Sequence, residues 1–283
     1  QAKRFGGDRI EPFRPAFRSV GSDRLQLESD LRRAAERNEL SIVYQPIVQL
    51  SDMTVAGFEA LLRWEHPRRG SIPPVEFIPL AEGCNIIGQL GQFAMSQAAA
   101  QLSLWQKTTG NSTVFMSVNL SSRQILRRDL VQEVRNILAN SQVAKGTFKL
   151  ELTESAVMEN PEQAVFILDK IRSMGIGLSL DDFGTGHSSL AYLSRFPFDL
   201  LKIDKTFLHD ESPKKFVLLK SMINMAHELG LKVVVEGIET DRDALQLRQL
   251  HCEFAQSYLF GEPMSAENAL RLLREQNTAA VRA

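Results

Sequence analysis

Apolar positions along this chain follow two alternating patterns. Eight short runs have strand length and are rich in Val, Ile, Leu and Phe: Ser41–Val48, Val55–Trp64, Val114–Leu120, Phe148–Thr153, Gly177–Asp182, Leu200–Asp204, Lys232–Gly237 and Phe254–Phe260. Between most of them apolar residues recur every three or four positions, as in Glu162–Met174, Lys214–Leu229 and Arg242–Leu250, the spacing of one helix face. In the second of these, Leu218, Met222, Met225 and Leu229 form a stripe expected to face the core, and Gly230 supplies the stop. Strands alternating with helices predict a mainly parallel sheet joined by right-handed crossovers. Eight such units, with no Gly-rich fingerprint after the first strand, predict an α/β fold closed into a TIM-like (β/α)8 barrel rather than an open sheet.

The first two dozen residues break this pattern. Lys3, Arg4, Arg9, Arg14, Arg18 and Arg24 stand against Asp8, Glu11 and Asp23, and Gly6, Gly7, Pro12, Pro15 and Gly21 interrupt any helical spacing. Such a stretch reads as a tether. An amphipathic helix is expected after it, with Ser22 or Asp23 as N-cap and Leu25, Leu27, Leu31, Ala34 and Ala35 on its apolar side. The expected organisation is a linker over residues 1–23, one domain over 24–275 and a tail over 276–283. The chain starts at Gln1 rather than Met, and reads as a piece of something longer.

Composition narrows the function. A barrel of about 250 residues takes up most of the 283 available. With 33 basic and 34 acidic side chains the net charge is −1, which argues against a partner such as polymeric nucleic acid but leaves room for a small anion held locally. Cys84 and Cys252 are the only cysteines, so a disulfide framework and a cysteine-rich zinc module are excluded, and both are expected to be reduced thiols. No apolar run reaches the roughly 18 residues of a membrane span, and the start lacks a secretory pattern. Cytoplasmic location is the expectation.

Polar residues interrupt the apolar strands at recurring places. Glu59, Asn119, Glu151, Asp181, Asp182, Lys202, Asp204, Glu236 and Gln256 lie in or at the ends of successive strands, with Glu154 just beyond one of them. Any one alone reads as a loop-edge group in water. Together, in a barrel, they converge on the face where barrel enzymes place their sites. Converging carboxylates repel one another unless a cation neutralises them, so the ensemble predicts a metal site. Glu59, Asn119, Glu151, Asp181, Asp182 and Glu236 are all oxygen donors with no His or Cys among them, which suits Mg²⁺ or Mn²⁺ rather than zinc. Adjacent Asp181 and Asp182 suit two ions roughly 3.5–4 Å apart, the spacing used in phosphoryl displacement. Lys202 stabilises a phosphate or positions water on one reading, and pairs with Asp204 or another carboxylate on the other. Chemistry alone leaves both open.

The chain resembles the EAL domain family of bacterial cyclic di-GMP phosphodiesterases. The resemblance rests on Tyr44-Gln45-Pro46-Ile47, Glu59-Ala60-Leu61-Leu62-Arg63-Trp64 with His66-Pro67, Val118-Asn119-Leu120-Ser121, and Glu151-Leu152-Thr153-Glu154. Downstream it continues with Asp181-Asp182-Phe183-Gly184-Thr185-Gly186, Leu201-Lys202-Ile203-Asp204, Val235-Glu236-Gly237-Ile238-Glu239-Thr240 and Gln256-Ser257-Tyr258-Leu259-Phe260. It implies a barrel with a non-standard first strand and two Mg²⁺ or Mn²⁺ ions at its mouth. One ion is expected on Glu59, Asn119, Glu151 and Asp181, the other on Asp181, Asp182 and Glu236. A water activated there opens the substrate cyclic di-GMP to the product, linear pGpG. The catalytic group implied is Glu236, Lys202, Gln256 and Asp182, with Glu236 open between base and ligand. Gln45, Arg63 and Asn119 face the substrate, Arg63 its phosphate. Glu239 supports the 181–186 loop, which such domains couple to dimerisation, so a homodimer is implied, and Asp204 stands behind the ligands.

Two positions depart from the family pattern. His187 stands where Tyr is common and reads as a loop side chain; Ser257 stands where Gly is common and bears on how Gln256 is held. His66 beside Pro67 reads as structural. Ala2-Lys3-Arg4, Gly7-Asp8-Arg9 and Phe13 resemble the end of a GGDEF domain, which implies an upstream regulatory domain. The rival readings are a catalytically silent cyclic di-GMP receptor and an unrelated carboxylate-ligand barrel enzyme such as a lyase. Every expected ligand is present, which favours the hydrolase.

Overall fold

The structure, a computed structural model, describes residues 15–184, 193–208 and 213–282, with side chains over 23–184, 193–208 and 216–276. Among the described residues nine strands form one sheet: β1 (Leu40–Gln49), β2 (Thr54–His66), β3 (Gly70–Ile72), β4 (Phe115–Asn119), β5 (Phe148–Thr153), β6 (Gly177–Phe183), β7 (Leu200–Ile203), β8 (Lys232–Glu236) and β9 (Phe254–Gln256). Their order is β1-β9-β8-β7-β6-β5-β4-β2-β3, and pairing of β1 with β2 closes eight of them into a barrel. All eight expected strands are present. The three-residue β3, which extends β2 past Pro67, was not expected; it is too short to carry a pattern of its own.

The odd direction of β1 has a covalent cause. Only Leu50–Met53 separate β1 from β2, and parallel pairing needs a crossover of a dozen or more residues. The two strands therefore form a hairpin, with Met53 at φ 61° and the Asp52 carboxylate accepting from Thr54 N at 3.0 Å. Every neighbouring pair from β2 and β4 through β8 and β9 is parallel. Thus β1 runs antiparallel to both its neighbours, the non-standard first strand that was expected.

The helices are α1 (Pro15–Ala34), α2 (Pro74–Gly83), α3 (Ile87–Thr109), α4 (Ser122–Ile125), α5 (Leu130–Asn140), α6 (Glu154–Met158), α7 (Pro161–Ser173), α8 (Pro213–Glu228), α9 (Asp241–Gln249) and α10 (Ala266–Arg282). Two differ from expectation. Helix α1 begins at Pro15 rather than at Ser22 or Asp23 and runs through Gly21: proline at a helix start forfeits no hydrogen bond, and one interior glycine costs only about 1 kcal/mol. Helix α10 passes residue 275 without a break, and Gln276 Oε1 accepts from Val55 N at 2.9 Å. The stripe expected on α8 holds at Met222, which is buried, and at Met225, which packs against the core, and is corrected at its ends: Leu218 and Leu229 are exposed, and Leu219, Ile223 and Ala226 complete the packed face.

Side chains alternate across a strand, so one face of each barrel strand lines the interior. Ile47, Phe115, Leu200, Val234 and Phe254 form a small apolar plug there, separate from the main core between sheet and helices. In the main core Trp105 packs against Tyr44 and Phe58, each ring 4.9 Å away. Cys84 and Cys252 are free thiols, as expected, and burial pushes Cys252 up to about 12. Among the described residues no helix is long and apolar enough to cross a membrane.

Helix α1 is held to the barrel by Leu27, Leu31 and Ala34 against Trp64, Phe77 and Leu80. Asp30 is buried in this seam, accepting from Gln26 Nε2 at 3.0 Å, Arg68 Nη2 at 3.2 Å and His66 Nε2 at 3.3 Å. His66 Nδ1 accepts the backbone N–H groups of Arg68 and Arg69, so its proton sits on Nε2 and its role is structural, as expected. The Gln26 hydrogen bond, opposed by burial and helped by His66 and Arg68, holds the Asp30 carboxyl down at about 2. A depressed carboxylate contributes stability above its unfolded pKa and loses it as pH falls through the folded one. The stability gap between wild type and Asp30→Asn is therefore expected to hold at pH 7 and 5 and to close between about pH 4 and 2. Urea midpoints across that range measure it; a gap that persists unchanged to pH 2 would remove the carboxylate from the account.

Candidate active site

Five parallel strands bring four carboxylates to one ammonium. Lys202 of β7 is fully buried, with Nζ 2.8 Å from Glu236 Oε1, 3.1 Å from Glu59 Oε2, 3.1 Å from Glu151 Oε2 and 3.5 Å from Asp181 Oδ1. The cluster carries four formal negative charges to one positive. Its partners come from β6 and β8, which flank β7, and from β5 and β2 further round the barrel. Of the two readings left open for Lys202, the ion pair is the one seen, and its partners are these four acids rather than Asp204.

Amides complete the ring. Asn119 Nδ2 donates to Glu59 Oε1 at 2.6 Å, and Gln256 Nε2 donates to Glu59 Oε2 at 2.7 Å and Gln45 Oε1 at 3.3 Å. Gln45 reaches them because β1, between β2 and β9, sets it directly opposite Glu59. Ser257 is buried and its backbone oxygen accepts from Phe260 and Gly261, and Gln256 still points into the cluster. The cavity above holds about 750 Å³ and is also lined by Asp204, Glu239, Tyr258 and Leu259.

Charge states follow from burial. Burial raises the Glu59 carboxyl, but Lys202 and the Gln256 and Asn119 amides outweigh it and hold Glu59 low. Glu151 is raised well above the carboxylate range by burial and by the nearby Glu59 and Asp181, despite Lys202. Glu236 is raised by burial, again against the pull of Lys202. Burial alone would lower Lys202; Asp181, Glu151, Glu236 and Glu59 instead raise it well above its usual value. The lysine is a permanent cation here.

Four expected site residues stand outside this ring. Asp182 adopts φ 55°, rare for a residue with a side chain, at a break in β6–β7 register, and it is exposed. Partial desolvation at the rim and the Asp181 and Asp204 charges raise its carboxyl. Arg63 sits four residues beyond Glu59 on β2, donates to Leu62 O at 3.0 Å, and lines a second cavity of about 550 Å³ with Leu62, Ile78, Leu90, Ala94 and Asn119. Asp204 caps the following turn by accepting from Thr206 N at 2.9 Å. Glu239 lines the main cavity; the loop it was expected to support lies partly, and His187 wholly, outside the described residues.

Some residues were named without a role or not at all. Glu154 is buried and its Oε2 accepts from Gly184 N at 3.4 Å, tying α6 to the end of β6. Ser117 and Ser179 are fully buried with unpartnered hydroxyls, in register with Glu59 and Glu151. Their signal was a small polar residue two positions before Asn119 and Asp181, on the same strand face.

Fold and site together describe a barrel protein that gathers its chemistry at the C-terminal ends of parallel strands. The chain belongs to the EAL domain family, whose family model matches residues 28–263. It is 39% identical over 260 residues to the bifunctional diguanylate cyclase/cyclic di-GMP phosphodiesterase MucR of Pseudomonas aeruginosa, covering 91% of this chain and 38% of MucR. It is also 39% identical over 279 residues to the cyclic di-GMP phosphodiesterase NbdA of the same species, covering 97% of this chain and 36% of NbdA. The chain thus spans little more than a third of these curated relatives. Among solved structures, the PaMucR phosphodiesterase in complex with c-di-GMP superposes with TM-score 0.82 at 40% identity, over 86% of this chain and 99% of that one. The EAL enzyme Bd1971 in its cAMP- and cyclic-di-GMP-bound form gives TM-score 0.85 at 33% identity, over 96% of this chain and 72% of that one.

Removing the ammonium should leave the acids uncompensated. Lys202→Met is expected to cost about 3–5 kcal/mol of folding stability near pH 7.5, and less near pH 5.5 as the crowded acids protonate. Urea denaturation at both values measures this; an unchanged midpoint at pH 7.5 would show that Lys202 is not what holds the carboxylates together.

Proposed function

We propose that this chain is a hydrolase, a cyclic di-GMP phosphodiesterase that opens the cyclic dinucleotide to linear pGpG in second-messenger signalling, with Mg²⁺ or Mn²⁺ as cofactor. The observation that carries the reading is the excess of buried carboxylate around Lys202 at the barrel mouth. The relatives with phosphodiesterase names and the c-di-GMP complex of the superposable PaMucR supply the substrate class.

The donor set fits divalent cations. It is oxygen only, it carries uncompensated negative charge, and Glu151 Oε1, Asp181 Oδ1 and Gln256 Oε1 are buried without a hydrogen-bond partner. Among the described residues no three acids, histidines or cysteines already stand at the spacing of a metal cage, so the carboxylates must turn from Lys202 to take up ions. Glu59, Asn119, Glu151 and Asp181 would hold one ion, and Asp181, Asp182 and Glu236 the other. Bound there, such ions polarise a phosphate and make water a better nucleophile.

The chain's own groups have these roles. Glu236 is the most solvent-open of the four acids touching Lys202. With its carboxyl raised by burial, it is the group assigned to take the proton of the attacking water. Lys202 orients that water, and Gln256 with Gln45 holds the network against Glu59. The water oxygen bonds to phosphorus, the bond from phosphorus to one 3′ oxygen breaks, and that oxygen leaves with a proton from solvent. Arg63 takes a substrate phosphate. Asn119, on the wall of the apolar cavity that Arg63 lines, donates to Glu59, on the wall of the acid cavity, so the two lie side by side and a two-base ligand would span both.

Incubation with cyclic di-GMP and Mg²⁺, followed by chromatography, should yield pGpG as product. Glu59→Ala and Asp181→Ala should each lower the rate about a hundredfold or more. Ca²⁺ alone should not support turnover, because it prefers a larger and looser oxygen shell. Binding of cyclic di-GMP without product would replace the hydrolase with a silent receptor, and full activity in either variant would overturn the ligand assignment.

A further inference from the structure

At the opposite end of the barrel two lysines line a cavity that they share with Arg172 and one acid, Asp199. Lys149 is the second residue of β5 and Lys232 the first of β8. Among the described residues neither ammonium has a hydrogen-bond or ion-pair partner. Lys149 Nζ lies 5.5 Å above the Phe115 ring and Lys232 Nζ 5.8 Å above that of Phe254, near the outer limit of a cation–π contact, and the two rings meet edge to face at 5.7 Å. The cavity they line holds about 520 Å³, within the range of small-molecule sites.

The nearby acid is already committed. Asp199 Oδ2 accepts from Leu178 N at 2.9 Å, and Asp199 Oδ1 pairs with Arg172. Lys149 is directly paired in the ladder with Gly177, and a Cβ there would come within 2.8 Å of its Nζ. The missing side chain lets the lysine lie across the foot of β6. Burial lowers Lys149 from its usual value; the pull of Asp199 opposes it, and the neighbouring Lys232 and Arg172 add smaller repulsions. Two cations brought together over apolar rings, one of them partly desolvated, repel until an anion comes between them.

We infer that this foot cavity is a second binding site, for a small organic molecule bearing a phosphate monoester, with the phosphate between Lys149 and Lys232 and the rest over the Phe115–Phe254 pair. Lysine suits phosphate as a point charge, and the volume exceeds what an inorganic ion fills. The site is separated from the acid mouth by the apolar plug of Ile47, Leu200 and Val234, and the inference is independent of the proposed hydrolysis.

Calorimetry on the full chain with GMP, with inorganic phosphate and with citrate tests it. One GMP site is expected, tighter than for phosphate or citrate, with affinity reduced about tenfold or more in Lys149→Met and in Lys232→Met. Lys232 is exposed, so its variant remains informative where Lys149→Met disturbs folding. Glu59→Gln at the mouth should leave this binding unchanged. No GMP binding to the wild type, binding that tracks Glu59, or binding that survives both lysine substitutions would overturn the site; equal affinity for citrate would overturn its preference for phosphate.

Discussion

An ammonium can be kept dry inside a protein only where acids surround it, and that constraint organises this molecule. Removing lysine from water costs several kcal/mol unless close carboxylates repay it. Lys202 meets the requirement with four acids, the farthest of them, Glu59, 143 residues away in the chain. The dependence is mutual. Without the lysine, Glu59, Glu151, Asp181 and Glu236 would have to protonate or separate. The barrel's closure is therefore coupled to its site, because only a closed ring of strands lets β2, β5, β6 and β8 point side chains at one atom of β7.

The reversed β1 gives the mouth its asymmetry. A four-residue turn compels the hairpin, and the hairpin sets Gln45 opposite Glu59 and within reach of Gln256. It also lets β2 run past the rim to His66, paired with β1 on one side and β3 on the other. Glu59 is thus mid-strand, with Arg63 and the apolar cavity four residues further on. One strand supplies an acid for the charged chamber and a guanidinium for the apolar one, at a separation set by strand rise.

Charge is sorted along the barrel axis. Acids crowd the mouth, the plug of Ile47, Phe115, Leu200, Val234 and Phe254 fills the middle, and Lys149 and Lys232 lie at the foot. A net charge of −1, summed over 33 basic and 34 acidic residues spread along the chain, conceals this polarity. In a low-dielectric interior each end attracts ions of opposite sign, which suits cations at the mouth and anions at the foot.

Much of this was legible in the order of residues. Eight apolar runs with helical spacing between most of them determined a barrel, since strand length and crossover handedness are local properties, while the non-standard first strand was implied by the family resemblance. Polar residues interrupting those runs, Glu59, Asn119, Glu151, Asp181, Lys202, Glu236 and Gln256, marked the site because burying them singly would cost too much. Distances were not legible. That Lys202 meets four acids at once, that Asp181 reaches it while Asp182 stays at the exposed rim, and that Arg63 belongs to a neighbouring cavity depend on register and barrel closure. The packed face of α8 differed from the expected stripe at its ends, because which apolar residues of a helix are buried depends on what it packs against. The same holds for Ser117, Ser179 and Lys149, ordinary in sequence and placed by the ladder at the levels where they matter. Local chemistry selected the elements, and only the closed sheet decided which side chains share a dielectric and therefore which charges answer one another.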